Sequence, residues 1–227
     1  MLVTGIGGGV AVFCMQFALA AGASVWVTSS SNAKINRAVE LGASGGVNYR
    51  DKDWVQKLRA AVPQRFDAVI DGTPLAARAS KTHAAALCFA SHHRIALVAN
   101  TGAGGDSLSA YVSLLRVGGI ISMYGATTGR PRNLNVTQLF LKNVELRGST
   151  MGSPREFEAM LRLVAKSGIV PVVSRIHDFD DALAAFNTLQ ASTQFGKVVV
   201  RVCASGLVAS RDASSAPGVV GTPLSKL

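Results

Sequence analysis

The sequence predicts an α/β chain built on a doubly wound parallel sheet, and three observations carry that prediction. A glycine cluster, Gly5-Ile-Gly7-Gly8-Gly9, separates a short apolar strand from an apolar helical run. Strand and helix signals then alternate as far as Asp71, the order that places helices on both faces of a parallel sheet. Of the 227 residues, 48% are hydrophobic and only 6% aromatic, which suits a core of Val, Ala and Leu.

The elements follow in order. Leu2 and Val3 open the first strand, and Val10 to Ala21 is read as a buried first helix. That run ends in Ala21-Gly22-Ala23, like a signal-peptide cleavage site, yet no Lys or Arg precedes it and glycines stand where an apolar helical region would begin. It is also too short to span a bilayer, whose core is about 30 Å thick. Ala23 to Thr28 is the second strand. Asn32 to Leu41 is an amphipathic helix closed by Gly42-Ala43, with Ser31 or Asn32 as its cap. Gly46 to Tyr49 reads as a third strand, Asp51 to Val62 as a helix stopped by Pro63, and Phe66 to Asp71 as a buried fourth strand.

The glycine cluster is read as a dinucleotide loop: strand, tight turn and helix N-terminus bring backbone N–H groups and the positive end of the helix dipole to an anion. The strict G-x-G-x-x-G spacing fails, because Val10 stands where the third glycine belongs. Counting Gly5, Gly8 and Ala11 restores three small residues for the turn, for phosphate approach and for packing of helix on strand. At the end of the second strand, where Asp or Glu would meet an unphosphorylated ribose, the chain has Thr28-Ser29-Ser30-Ser31-Asn32 and then Lys34. Hydroxyls and an ammonium suit a 2′-phosphate, so NADP(H) is favoured over NAD(H).

Charge and cysteine usage exclude several classes. The net charge of +10 is spread along the chain, with no basic block or aromatic interleaving, so no nucleic-acid partner is expected. Cys14, Cys88 and Cys203 are far apart and form no C-x-x-C pair, which argues against a disulfide framework or structural zinc and fits a reducing, cytoplasmic setting. His83, Cys88, His92 and His93 lack a second paired ligand set, so no metal site is assigned. No Tyr-x-x-x-Lys pair occurs, since Tyr49, Tyr111 and Tyr124 are followed four residues on by Asp53, Leu115 and Thr128. A phosphate-binding loop at Gly196-Lys197 and a nucleophile elbow fail as well. The catalytic residues are unknown.

Several stretches resemble the cofactor domain of medium-chain dehydrogenases/reductases, of the zinc-binding-dehydrogenase and quinone-oxidoreductase type. They are Leu2 to Ala11, Ser29 to Lys34, Glu40-Leu-Gly-Ala43, Val47-Asn-Tyr-Arg50, Leu115-Arg-Val-Gly-Gly-Ile-Ile-Ser-Met-Tyr-Gly125, Leu146-Arg-Gly-Ser149, Phe179 to Phe186 and Gly196 to Val202. The resemblance implies a Rossmann fold and NAD(P)H-dependent oxidoreduction of a small-molecule quinone, enone, aldehyde or alcohol. It implies that Gly5, Gly7, Gly8, Gly9, Val10 and Ala11 hold the pyrophosphate, and that Ser29, Ser30 and Lys34 hold the 2′-phosphate. By the same likeness Tyr49 lies near the adenosine, and Tyr124 and Gly125 border the nicotinamide.

The resemblance also sets expectations about organisation. Residues 1–166 form the dinucleotide-binding domain, with 73–102 as an insertion where the family runs almost directly from the fourth strand into the next helix. A retained intron read in frame would leave such a segment; Gly72-Thr73 permits a GT donor and Thr101-Gly102 a CAG acceptor. Residues 167–202 hold strands and a helix that would join a GroES-like catalytic domain missing from this chain. Val172 to His177 and Lys197 to Val202 are then expected as unsatisfied edges, liable to associate or aggregate, and a homodimer is an expected partner state. Residues 203–227, rich in Ser, Ala, Gly and Pro, are expected to be a disordered tail. An impaired enzyme is the reading for the chain as given; its rivals are a non-catalytic nucleotide-binding module and a defective gene product.

Overall fold

A computed structural model describes residues 1–71, 107–124 and 134–202. The expected insertion at 73–102 with its histidines and Cys88, the candidate Gly125 and the tail from 203 lie outside the described residues.

Six parallel strands form the main sheet: β1 (Leu2–Val3), β2 (Trp26–Ser29), β3 (Gly45–Asn48), β4 (Phe66–Asp71), β5 (Leu115–Met123) and β6 (Glu145–Gly148). Their spatial order is β3-β2-β1-β4-β5-β6. The winding reverses between β1 and β4, and this is the place where open α/β sheets bind ligands, beyond the carboxyl ends of the strands. The predicted doubly wound sheet is therefore the fold.

Two core clusters cover its two faces. Leu2 and Val3 are adjacent on β1 and fully buried, yet they point into different clusters, as side chains alternating across a pleat must. Val3 meets α1 (Gly9–Ala20) through Val12, Met15 and Phe17, and α2 (Asn32–Glu40) through Ile35 and Ala38. Leu2 meets Leu58 of α3 (Trp54–Ala61) and Leu108 and Val112 of α4 (Ser107–Leu114). Burying side chains of this size contributes about 1.5–3 kcal/mol each, which explains why α1 has no polar stripe. Among the described residues no helix is long and apolar enough to cross a membrane.

Most boundaries fall within a few residues of those expected. The second strand starts later than Ala23, at Trp26, because Ala23 and Ser24 are consumed in the turn that ends α1, where the Ala23 amide bonds the Ala18 carbonyl. Ser31 takes the position before α2 in extended backbone but makes no capping bond with its side chain. Three elements were not foreseen individually: α5 (Val136–Leu141), β6 and α6 (Pro154–Ser167).

The C-terminal strands correct one expectation. β7 (Val173–Asp178) and β8 (Lys197–Arg201) are not left unpaired; they pair with each other in a separate two-stranded parallel sheet, crossed over by α7 (Ala182–Gln190). A strand–helix–strand unit can satisfy one edge of each strand by itself. The outer apolar side chains stay exposed, among them Ile176, Phe179, Leu183 and Phe186.

Candidate cofactor site

The glycine loop lies beyond the carboxyl end of β1 and is supported from β2. Gly5 donates its N–H to the Thr28 hydroxyl at 3.3 Å, and Ile6 donates to the Thr28 carbonyl at 2.8 Å. The Ser29 hydroxyl donates to the Ile6 carbonyl at 3.2 Å and accepts the Ser31 amide at 3.3 Å. Thr28 and Ser29 are therefore buried loop supports. The expectation that the Ser29 hydroxyl meets a 2′-phosphate finds that hydroxyl already engaged in the loop.

At the centre of the loop the backbone is bare and sharply turned. Gly7 has φ +126°, a backbone that residues with a Cβ rarely adopt. Gly8 precedes α1 in extended backbone, and a Cβ built on it would meet nothing within 4 Å. No side chain caps α1 and no acidic residue occupies its first turn, which contains Gly9, Val10 and Ala11. Val10 also packs against the first core cluster, while Ala11 is buried in it, so the small residue at the third position serves helix packing.

Two lysine arms flank the open glycine. The Lys34 side chain lies across Gly7: a Cβ there would stand 2.6 Å from Lys34 Cδ and 3.1 Å from Nζ. Its ammonium donates to the Ser192 carbonyl at 2.7 Å, and partial burial holds its pKa below the usual lysine value. The Lys197 side chain lies across Gly9, with Nζ 2.8 Å from the corresponding Cβ position and 5.5 Å from the centre of the Phe13 ring. Gly196 donates its N–H to the Gly7 carbonyl at 2.9 Å.

Ser192, Gly196 and Lys197 were not read from the sequence as site residues. They lie more than 180 positions from the loop, and the only local signal is a Gly-Lys pair in front of a run of valines. Of the remaining candidates, Ser30 is half-buried at the end of β2, where its carbonyl accepts the Asn48 amide at 3.4 Å. Tyr49, also half-buried, follows β3 and donates its N–H to the Ser29 carbonyl at 3.0 Å. Tyr124 follows β5 and packs on the cluster that contains Val3 and α1. Tyr49 is thus beside the end of β2.

The strand order and the loop together define a sheet of the dinucleotide-binding type. Residues 41–200 match the zinc-binding dehydrogenase family. A zinc-type alcohol dehydrogenase-like protein of Leptosphaeria maculans, YogA, is 36% identical over 211 residues, covering 89% of this chain and 50% of that protein. A solved NAD-dependent alcohol dehydrogenase superposes with a TM-score of 0.69 at 28% identity, over 89% of this chain and 50% of that one. The fold is shared, at 19% identity and a TM-score of 0.66, with crotonyl-CoA carboxylase/reductase AntE in complex with NADP, over 88% of this chain and 49% of that one. The chain belongs to the zinc-binding dehydrogenases, a branch of the medium-chain dehydrogenases/reductases. It spans about half the length of the relatives it matches.

The family name raises the question of zinc. Among the described residues no group of three or more His, Cys, Asp and Glu is placed to hold a metal ion, so these residues do not fit one and no step is derived through it. A nicotinamide dinucleotide fits better, because the glycine cradle, the uncapped helix end and two cations converge on one small open site.

Proposed function

We propose that this chain is the cofactor-binding part of an oxidoreductase that uses NADP(H) in preference to NAD(H), with a quinone, enone, aldehyde or alcohol as substrate of the whole protein. One observation carries the reading: Gly8 lies open at an uncapped helix N-terminus, with the arms of Lys34 and Lys197 on either side. That arrangement suits a pyrophosphate, whose two charges gain from backbone N–H groups, the helix dipole and flanking ammonium groups.

When bound, the cofactor supplies the hydride chemistry. The chain's own residues bind and orient it. The first-turn amides and Lys197 would hold the pyrophosphate. Tyr49 would border the adenosine, and Tyr124, at the carboxyl end of β5, the nicotinamide. The preference for NADP(H) rests on the absence of a carboxylate from Thr28 to Lys34 and on Lys34 in the first turn of α2, whose arm reaches Gly7. A carboxylate there would accept from the ribose hydroxyls and repel a 2′-phosphate.

Calorimetric titration of the chain with NADPH and NADH tests both parts. Tighter binding of NADPH, by about tenfold or more, is the expected result, since one charge-assisted contact of about 1.4 kcal/mol gives that ratio. Equal affinities would overturn the cofactor preference, and binding of neither would overturn the site itself.

A further inference from the structure

The Lys34 arm lies across Gly7, beside the open Gly8 that a dinucleotide has to approach. In loops of this kind one small residue lets the pyrophosphate come close, the place that Gly8 holds here, next to Gly7. Here the space above Gly7 is taken by Lys34 Cδ, Cε and Nζ, and the ammonium is tied 2.7 Å away to the Ser192 carbonyl. An ammonium drawn to a phosphate has to give up that carbonyl. Ser192 itself has φ +52°, the left-handed region that serine rarely occupies, so its turn is held in place by its partners.

That turn is joined to the loop through Gly196 and to the start of the second sheet at two further points. Beyond Ser192, Phe195 donates its N–H to the Ser174 hydroxyl at 3.3 Å, Gly196 donates to the Gly7 carbonyl, and Lys197 donates to the Val172 carbonyl at 2.8 Å. Residues 192–196 connect α7 to β8, so they link the glycine loop to the second sheet.

We propose that the Lys34–Ser192 contact is a latch opened by the cofactor: Lys34 exchanges the Ser192 carbonyl for the phosphate at the adenosine end of the dinucleotide, and the 192–195 turn loosens as the loop fills. This rests on the cofactor reading above. It gives the second sheet, with its exposed Ile176, Phe179, Leu183 and Phe186, a means of sensing whether the loop is occupied. Lys34 is then a positioning residue in the empty chain and a ligand in the filled one.

Amide hydrogen exchange of the full chain, followed on a peptide covering 189–197, tests the latch with NADPH, NADH or no ligand present. Saturating NADPH is expected to speed exchange at Ser192 and Phe195 by about threefold or more, as loss of a local contact lowers the cost of local opening. NADH, with no 2′-phosphate to draw the ammonium, should do so less. Lys34→Met should show the faster exchange without ligand and no further change with NADPH, and Lys34→Arg should restore the slow exchange. If calorimetry shows NADPH bound while exchange at 192–195 is unchanged or slower, the latch is overturned and the cofactor site stands. If neither dinucleotide binds, both are overturned together.

Discussion

Gly196 donates its amide to the Gly7 carbonyl at 2.9 Å, so a residue near the end of the described chain braces a loop at its beginning. The bond is possible because Gly196 has φ +96° and sits against the residue just before β7: a Cβ there would lie 2.2 Å from the Val172 carbonyl oxygen. Gly196→Ala should therefore lower stability by about 2–4 kcal/mol, through left-handed strain and overpacking against backbone. Urea unfolding measures this, and a loss under about 0.5 kcal/mol would contradict the geometry.

Neighbouring glycines in the loop should respond differently. Gly8 has φ −72° and open space where a Cβ would go, so Gly8→Ala should change stability by less than about 1 kcal/mol while placing a methyl group in the phosphate cradle. Gly7→Ala meets both φ +126° and the Lys34 arm, and should cost stability as well as binding. Paired unfolding and NADPH titrations separate the two. Unimpaired NADPH binding by Gly8→Ala would place the cofactor elsewhere.

Cys14 is buried in α1, and burial pushes its thiol up to about 12 from an ordinary value of 9.0. A folded pKa above the unfolded one keeps the full contribution to stability below pH about 9, and loses it as pH rises from there towards 12. Iodoacetamide at pH 8 should leave Cys14 unmodified in the native chain and modify it in denaturant, read by peptide mass spectrometry. Rapid native labelling would show that α1 opens readily.

Lys142 follows α5 and donates to two carbonyls at the end of α4, Val112 at 3.0 Å and Ser113 at 3.1 Å, and to that of Leu115, which opens β5, at 2.9 Å. The first two are acceptors that a helix C-terminus leaves without intrahelical partners. Lys142→Met keeps the apolar stem and removes the donors, so a loss of about 1–2 kcal/mol is expected in thermal or urea unfolding, discounted for the partial exposure of the ammonium. An unchanged midpoint would mean that water replaces the lysine at no cost.

Much of the fold was legible because its signals are local. The β-branched runs at Val25-Trp26-Val27 and Phe66 to Asp71, the amphipathic Asn32 to Leu41 and the glycines after Val3 each announce an element within about ten residues. Helix α6 was equally legible: Ser153 and Glu156 form a reciprocal capping box, Pro154 opens the helix, and Gly168 closes it in left-handed backbone. Ser29 illustrates the opposite case. Its type and place suit a phosphate, yet its hydroxyl supports Ile6, and only the packing of β2 beside the loop reveals that.

What the sequence determined alone was the order of elements and the existence of a glycine turn between β1 and α1, since both depend on the preferences of neighbouring residues for strand, turn and helix. Which side chains surround that turn was decided by tertiary structure. Lys197, Gly196 and Ser192 reach it because α7 and β8 carry the chain back across the loop, an arrangement set by the burial of apolar faces far apart in sequence. A contact between positions 7 and 196 leaves no trace in local periodicity, and so it appears only once the sheet has been assembled.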